Sequence, residues 1–224
     1  MGSRLLSIEN LTFGWQNKPL FDNVSCRLQK NQIVQLTGEN GAGKTTLLQL
    51  ISGMIPHFNR GEILQGNIFI NEQSILHESP KHFFPTIAFI PSINLDFFLF
   101  AETLVQEILL IRSILKIERD LAEKRLTEFS DFFPDVVGIV DMRFKDMQIQ
   151  QKVLALTFIF YIQNARLFLF DEVLSLFSRS VNHQWFSFFE YLSSNGCAVI
   201  FVNHQLRIEK YSQWLIKNRN LLSS

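Results

Sequence analysis

A glycine-rich run near the N-terminus has the residue types and the spacing that hold phosphate groups. The run reads Gly38-Glu39-Asn40-Gly41-Ala42-Gly43-Lys44-Thr45 and is followed by Thr46. It matches the Gly-x-x-x-x-Gly-Lys-[Ser/Thr] phosphate-loop pattern at every fixed position. The glycines let backbone amides point at phosphate oxygens, Lys44 neutralises the outer phosphates, and the Thr45 hydroxyl can ligate Mg²⁺. The run therefore predicts a nucleotide-phosphate and magnesium site that also includes Thr46.

Two carboxylates follow a buried strand far downstream. An apolar run at residues 167–170 ends directly at Asp171 and Glu172. In an open α/β sheet, ligands bind at the carboxyl ends of the strands. We expect Asp171 to hold Mg²⁺ through water and Glu172 to polarise the attacking water. An acidic pair after a strand is more often a helix cap or a surface turn, but the phosphate loop upstream favours the catalytic interpretation.

A histidine follows the next apolar run. The segment Ala198–Val202 predicts a strand, and Asn203 and His204 come directly after it. The strand should bring His204 to the outer phosphate, where an imidazole can sense or stabilise developing charge. A lone histidine is more often structural, and that alternative remains open from the residues alone.

The predicted elements place these residues at the ends of buried strands. Apolar runs predict strands at 33–36, 87–90, 167–170 and 198–202, and helical spacing predicts helices at 44–52, 149–162 and 184–192 and within 101–133. Alternation in the first thirty residues predicts two antiparallel strands, and residues 61–71 read as a further strand pair. This order predicts an α/β phosphate-loop NTPase core with a mixed, mostly parallel sheet, an antiparallel β subdomain and an inserted helical lobe. We expect a single domain over 1–224, with the core in 1–93 and 151–224 and the lobe at about 94–150.

The composition excludes several other classes of protein. The 21 basic and 21 acidic residues cancel, so no overall charge favours nucleic acid. Cys26 and Cys197 are too far apart in sequence to form a metal or redox motif. The most apolar stretch, 153–170, is interrupted by polar residues and reads as a buried helix followed by a strand rather than a membrane span. The N-terminus shows no basic segment leading into an apolar run, so no signal peptide is expected.

Together these features resemble the ATPase subunits of ABC transporters over nearly the whole chain. The helical block lies between the phosphate loop and Asp171, and a histidine follows the next strand, as in that family. The family keeps an aromatic ring that stacks on adenine upstream of the loop, and Trp15 matches that position. The alternative for Trp15 is an ordinary half-exposed strand aromatic. The resemblance implies ATP and Mg²⁺ as cofactors, a face-to-face dimer, and a transmembrane transporter subunit as partner at the cytoplasmic face of the membrane.

Two short segments are similar to the energy-coupling factor importers within that family. They are Ser52–Phe58, followed by Gly61-Glu62 and Gly66-Asn67-Ile68, and Glu102–Ile108. This likeness implies uptake of a vitamin or a transition-metal ion through a substrate-capturing membrane protein and a transmembrane coupling subunit. In the family, a helix of the transmembrane subunit docks between the core and the helical lobe. We therefore expect at least one of Phe97, Phe98 and Phe100 to be exposed there.

The sequence departs from the family at three places. Ser92 stands where a glutamine is expected, and Lys145–Ile149, here called the signature segment, replaces Leu-Ser-Gly-Gly-Gln. The turn Ser175–Ser178 lacks its usual aspartate. In the family, the signature of one subunit closes the ATP site of the other, and Asp146 would oppose a phosphate with like charge. We therefore expect weak hydrolysis by the chain alone and pairing with a second ATPase subunit, although a homodimer remains possible.

Three functional hypotheses remain. The first is an ATP-hydrolysing transport motor, which the presence of Glu172 and His204 favours. The second is a regulatory subunit that binds ATP but hydrolyses little, which the altered signature segment and Ser92 favour. The third, a soluble ABC protein acting on ribosomes or DNA, is disfavoured by the zero net charge and the absence of a basic extension.

Overall fold

A computed structural model describes residues 4–15, 18–57, 62–203 and 208–223. The strands are β1 (Arg4–Trp15), β2 (Lys18–Gln29), β3 (Ile33–Gly38), β4 (Glu62–Ile70), β5 (Gln73–Ser74), β6 (Ile87–Pro91), β7 (Leu167–Asp171), β8 (Ala198–Val202), β9 (Ser212–Lys217) and β10 (Asn220–Ser223). The α-helices are α1 (Lys44–Ile51), α2 (Met54–His57), α3 (Leu104–Leu115), α4 (Arg119–Ser130), α5 (Asp135–Gly138), α6 (Ile149–Ile162) and α7 (Arg179–Ser194).

The strands form two sheets. The larger has six strands in the order β10-β9-β3-β8-β7-β6, and all its neighbouring pairs are parallel except β10 with β9. The smaller is antiparallel, in the order β2-β1-β4-β5. Every residue of β7 and β8 is buried, as expected for parallel strands covered on both faces. The arrangement confirms the predicted fold class.

Two apolar cores lie on opposite faces of the larger sheet. One contains the buried face of α1, with Leu47, Leu48 and Ile51, packed among residues of both sheets. The other contains α6 and α7, where Phe158 and Phe188 pack against Phe129 of α4. α6 is buried over most of its length, which explains why its sequence is apolar without a polar stripe. These cores fix the strand ends that carry the candidate site.

Several predicted elements needed correction. The strand pair predicted for residues 61–71 is wrong for the described part of that range: residues 62–70 form the single strand β4, which pairs with β1 and with the two-residue β5. The hairpin β9–β10 was not predicted, and α7 is longer than the expected 184–192. Residues 101–133 contain two helices, α3 and α4, and α6 has the predicted bounds. Over the described ranges, no helix is long and apolar enough to cross a membrane.

Candidate functional site

The phosphate loop joins β3 to α1, as the sequence predicts. Gly38, Gly41 and Gly43 have φ angles of 150°, 78° and 103°, a region that side chains disfavour. A Cβ at Gly43 would also lie 2.9 Å from the Phe21 ring and 3.0 Å from Leu20. The loop therefore requires glycine at position 43 for both conformation and space. Ala42 N donates to Glu39 O at 3.1 Å, which tightens the turn.

Lys44 is folded against the carbonyls of its own loop. Its side chain is buried, and Nζ donates to Gly38 O at 3.0 Å and to Glu39 O at 2.8 Å. Burial lowers the pKa of Lys44, while the charges of Glu172 and Asp171 act in the opposite direction. The ammonium thus lies within the field of both predicted carboxylates.

Asp171 and Thr45 are in contact although they are far apart in sequence. Thr45 Oγ1 donates to Asp171 Oδ1 at 3.1 Å. Asp171 is the last residue of β7 and is 5% exposed, while Thr45 is exposed in the first turn of α1. A hydroxyl and a carboxylate side by side are hard oxygen donors of the kind that Mg²⁺ prefers. The residues present therefore fit a magnesium ion.

Glu172 lines the same cleft as the phosphate loop. The cleft has a volume of about 790 Å³ and is lined by Trp15, Leu20, Asn40, Gly41, Gly43, Lys44, Thr45, Thr46 and Glu172. Glu172 has a φ of 59°, and its carbonyl accepts from Ser175 Oγ at 2.6 Å. This turn lets Glu172 follow Asp171 without continuing the strand. The structure thus brings the predicted loop and carboxylate residues together, while His204 lies outside the described residues.

Trp15 lines the cleft with an exposed ring. It is 38% exposed and makes an edge contact with Phe13, with 5.2 Å between the ring centroids. Leu20 lines the cleft beside it and was missed by sequence reasoning. Its place in the apolar alternation of β2 was visible, but the packing of β2 against the phosphate loop was not. An apolar side chain and an exposed ring together form a surface suited to a flat aromatic group.

The signature segment is held in place by polar contacts to adjacent residues and by packing in the core. Arg143 Nε lies 2.7 Å from Asp146 Oδ2, and both side chains are about half exposed. Met147 is only 6% exposed and packs in the core, so its side chain turns inward rather than occupying the surface. Gln148 N donates to Gln151 Oε1 at 2.8 Å, so one amide at the start of α6 is already bonded. None of these residues lines the cleft described above.

An apolar groove lies beside the helices and away from the cleft. It has a volume of about 440 Å³, and its lining includes Phe97, Phe98 and Phe100. Phe97 is 57% exposed and Phe100 is 80% exposed, whereas Phe98 is partly buried. The prediction that at least one of the three rings is exposed is confirmed. Buried Glu107 accepts from the amides of Phe100 and Ala101 at 2.9 Å and 2.6 Å and so fixes the backbone that presents Phe100.

The sequence is similar to several curated ATP-binding proteins over part of their length. The EcfA protein of an energy-coupling factor transporter from Aster yellows witches'-broom phytoplasma is 36% identical over 77 residues, which is 34% of this chain and 28% of that protein. The cytochrome c biogenesis ATP-binding export protein CcmA of Reclinomonas americana is 38% identical over 100 residues, 44% of each chain. EcsA of Bacillus subtilis is 35% identical over 124 residues, 54% of this chain and 46% of EcsA. The chain thus spans less than half the length of these relatives.

Solved structures share the fold over nearly the whole chain. An ATP-binding subunit of an ABC transporter superposes with a TM-score of 0.84 at 20% identity, covering 98% of this chain and 89% of that one. The protein cbiO1 of Clostridium perfringens, part of the transporter complex cbiONQ, gives 0.77 at 15% identity, covering 98% and 87%. The family model for ABC transporters matches residues 21–175, a span that includes the phosphate loop, the signature segment and the Asp171-Glu172 pair. This chain therefore belongs to the ABC transporter family.

Proposed function

We propose that this chain is the motor subunit of an ABC-type transporter and that it binds and hydrolyses Mg·ATP in the cleft beside the phosphate loop. The observation that carries the proposal is the 3.1 Å contact between Thr45 Oγ1 and Asp171 Oδ1. It joins the loop to the strand that delivers Glu172. A glycine-rich turn without a nucleotide role would not require a hydroxyl, two carboxylates and a buried lysine at one cleft.

The phosphate chain lies along the loop in this proposal. The amides of residues 39–46 and the N-terminal end of α1 bind phosphate oxygens, and Lys44 exchanges its carbonyl contacts for the outer phosphates. Thr45 and Asp171 would hold Mg²⁺, Asp171 through a water molecule, and the ion would neutralise charge on the phosphate oxygens. Trp15 stacks on adenine, which its exposure and its place in the cleft lining support.

Three residues act at the outer phosphate in this proposal. Glu172 polarises the attacking water, which its place in the cleft lining supports. His204 senses or stabilises the charge that develops on that phosphate, which the position of β8 beside β3 supports. Lys44 stabilises the same charge, so the three side chains form the catalytic set.

We propose a transporter of the energy-coupling factor type that imports a vitamin or a metal ion and holds this chain at the cytoplasmic face of the membrane. The stretch from Ser52 to Phe58, with the segment from Glu102 to Ile108, and the partial likeness to EcfA and cbiO1 support this choice. The likeness to CcmA, named as an export protein, supports the opposite direction, and an uptake assay in cells lacking this chain decides between them.

The apolar groove is the proposed docking site of the transmembrane subunit. Phe97 and Phe100 expose large rings at its edge, and an exposed apolar patch of this kind marks an interaction surface. Substituting both by serine should prevent co-purification with the membrane subunit and leave ATP binding unchanged.

A second, different ATPase subunit is the proposed dimer partner. The signature segment presents the Arg143–Asp146 pair and an amide already bonded to Gln151, which leaves a poor surface for the phosphate of an opposing site. In a homodimer both sites would use this surface. In a heterodimer, a partner with an intact signature would complete the site that contains Lys44 and Glu172. The alternative, a regulatory subunit with little hydrolysis of its own, is favoured by the same signature segment.

The deciding experiment compares ATP hydrolysis by the chain alone, by mixtures with candidate ATPase subunits, and by both after Glu172→Gln. We expect slow hydrolysis alone, a rise on mixing, and loss of that rise in Glu172→Gln with ATP binding retained. A rise that survives Glu172→Gln would support the regulatory alternative, because the partner's own site would then perform the chemistry. Fast hydrolysis by the isolated chain, abolished by Glu172→Gln and no faster on mixing, would show that no second ATPase is needed.

A further inference from the structure

A cavity of about 210 Å³ lies at the edge of the larger sheet where β7 and β8 begin. Its lining includes Arg166, directly before β7, Cys197, directly before β8, and Arg125 of α4. The phosphate loop follows the carboxyl end of β3, which is parallel to β8, and β8 is parallel to β7. The cavity therefore lies at the opposite edge of the sheet from the nucleotide cleft and shares no lining residue with it.

Arg125 reaches this cavity from α4 and is held there by neutral acceptors. Its Nη1 donates to Tyr161 O at 2.9 Å and to Ile162 O, and its Nη2 donates to Asn164 Oδ1 at 2.9 Å. The two carbonyls belong to the last turn of α6, which has no intrahelical donors left for them. The bonds fix the guanidinium in place, but none of the three acceptors carries a full negative charge.

Arg166 brings a second positive charge to the same cavity. Its Nη1 donates to Asn195 O at 3.3 Å, which is again a neutral acceptor. Among the described residues, no carboxylate forms an ion pair with Arg125 or Arg166. Burial lowers the pKa of Arg125, and the charge of Arg166 lowers it further against an opposing effect of Glu128. Two guanidinium groups held near each other in this way are a natural site for an anion.

Glu128 is the one carboxylate in the cavity lining, and it is already engaged. It accepts from the Tyr161 hydroxyl at 2.7 Å and lies 3.7 Å from Lys124 Nζ. With Lys124 and the two arginines, the lining carries three formal positive charges against one negative charge. The excess of two positive charges matches a divalent anion.

We propose that this cavity binds a small divalent oxyanion of the inorganic phosphate type. A guanidinium presents its N–H donors as a planar fork that matches the oxygens of such an anion, and both arginines offer one. Lys124 adds a third charge at the surface, where its side chain is 71% exposed. A bound anion would join α4 to the segment before β7 and so stabilise the packing of that helix. The site does not depend on whether the chain hydrolyses ATP.

The test is a calorimetric titration with inorganic phosphate at constant ionic strength set by chloride. The chain carries Lys44→Ala throughout, so that the phosphate loop does not take up the probe. We expect saturable binding with a dissociation constant of about 1 mM. Sulfate should compete with phosphate because it has the same shape and charge, and chloride should not.

Three variants assign the binding to the cavity. Arg166→Gln should weaken it about tenfold or more, because it removes charge-assisted bonds to the anion. Glu128→Gln should tighten it about two- to fivefold, because it removes the opposing charge and keeps an acceptor for Tyr161. Arg119→Gln is the matched control: this exposed arginine of α4 pairs with Glu123, does not line the cavity and should leave the affinity unchanged.

Opposite changes in Arg166→Gln and Glu128→Gln, with Arg119→Gln unchanged, support the proposal. No saturable binding up to about 20 mM phosphate overturns it, and the arginines then serve to bond carbonyls at the ends of α6 and α7. Equal losses in Arg166→Gln and Arg119→Gln, or an affinity that Glu128→Gln does not raise, place the anion elsewhere and also overturn it. If Arg166→Gln does not fold, Lys124→Ala at an exposed position replaces it, and an unchanged affinity in that variant contradicts the proposal.

Discussion

The phosphate loop and the signature segment are the two parts of this chain expected to face phosphate, and they are built in opposite ways. At the loop, the backbone carries positive φ angles at Gly41 and Gly43, and the buried Lys44 donates to two carbonyls of its own loop. At the signature segment, Asp146 bonds to Arg143 and the Gln148 amide bonds to Gln151. The phosphate loop is arranged for a ligand, whereas the polar groups of the signature segment already bond to neighbouring residues of the same chain. The difference indicates that the two halves of a shared ATP site need not diverge together.

The largest expected difference between the two regions is the change in Mg·ATP affinity when one lysine is removed from each. Lys44→Ala should weaken Mg·ATP binding by about 100-fold or more, because it removes charge-assisted bonds to the outer phosphates. Lys145→Ala, at an exposed position of the signature segment, should leave the affinity of the isolated chain unchanged. Calorimetry measures both. Equal losses would show that the signature segment contributes to binding within one chain, and an unaffected Lys44→Ala would reject the phosphate loop as the ATP site.

Two glycines of the loop test its geometry. Gly43→Ala should destabilise the fold by about 2–4 kcal/mol, because its φ is positive and its Cβ would meet Phe21 and Leu20 at 2.9–3.0 Å. Gly41→Ala should cost only about 1–2 kcal/mol, since it shares the positive φ but its Cβ has no described atom within 4 Å. Denaturant unfolding gives both values. Similar costs would mean that backbone conformation, rather than packing of β2 on the loop, sets the requirement for glycine.

The same two regions show which parts of the fold and of the candidate site could be predicted from the sequence. The phosphate loop and the carboxylates after β7 were predictable because a local pattern and an apolar run fix them. The inward turn of Met147 was not, because its position in the signature segment carries no information about packing, and only the core shows that it is buried. Likewise Leu20 enters the cleft through the contact of β2 with the loop, which spacing along the chain does not reveal. The hairpin β9–β10 could not be predicted because its short strands show no strong alternation of apolar and polar residues.

The next prediction concerns the negative charge of Asp146 in the signature segment. Asp146→Ser should raise hydrolysis by the isolated chain up to about tenfold at concentrations that favour dimers, because in the proposed dimer it removes a like charge near the partner's phosphate. Asp141→Ser, another exposed aspartate before α6, is the control and should have no effect. The measurement is the initial rate of phosphate release against protein concentration. An unchanged rate in Asp146→Ser would indicate that the backbone of the signature segment, rather than its charge, limits hydrolysis.

The smallest expected effect concerns the two exposed aromatic surfaces, one at the cleft and one at the apolar groove. Trp15 lines the cleft at 38% exposure, and Phe97 lines the groove at 57% exposure. Stacking of a ring on adenine contributes about 0.5–1.5 kcal/mol, so Trp15→Ala should weaken Mg·ATP binding by about two- to tenfold. Trp15→Phe should retain most of the affinity because a ring remains, and Phe97→Ala should retain all of it because the groove does not take part in nucleotide binding. A loss in Phe97→Ala equal to that in Trp15→Ala would show that the groove and the cleft are coupled within one subunit. Unchanged affinity in Trp15→Ala would leave the phosphates as the main determinant of binding and remove Trp15 from the site.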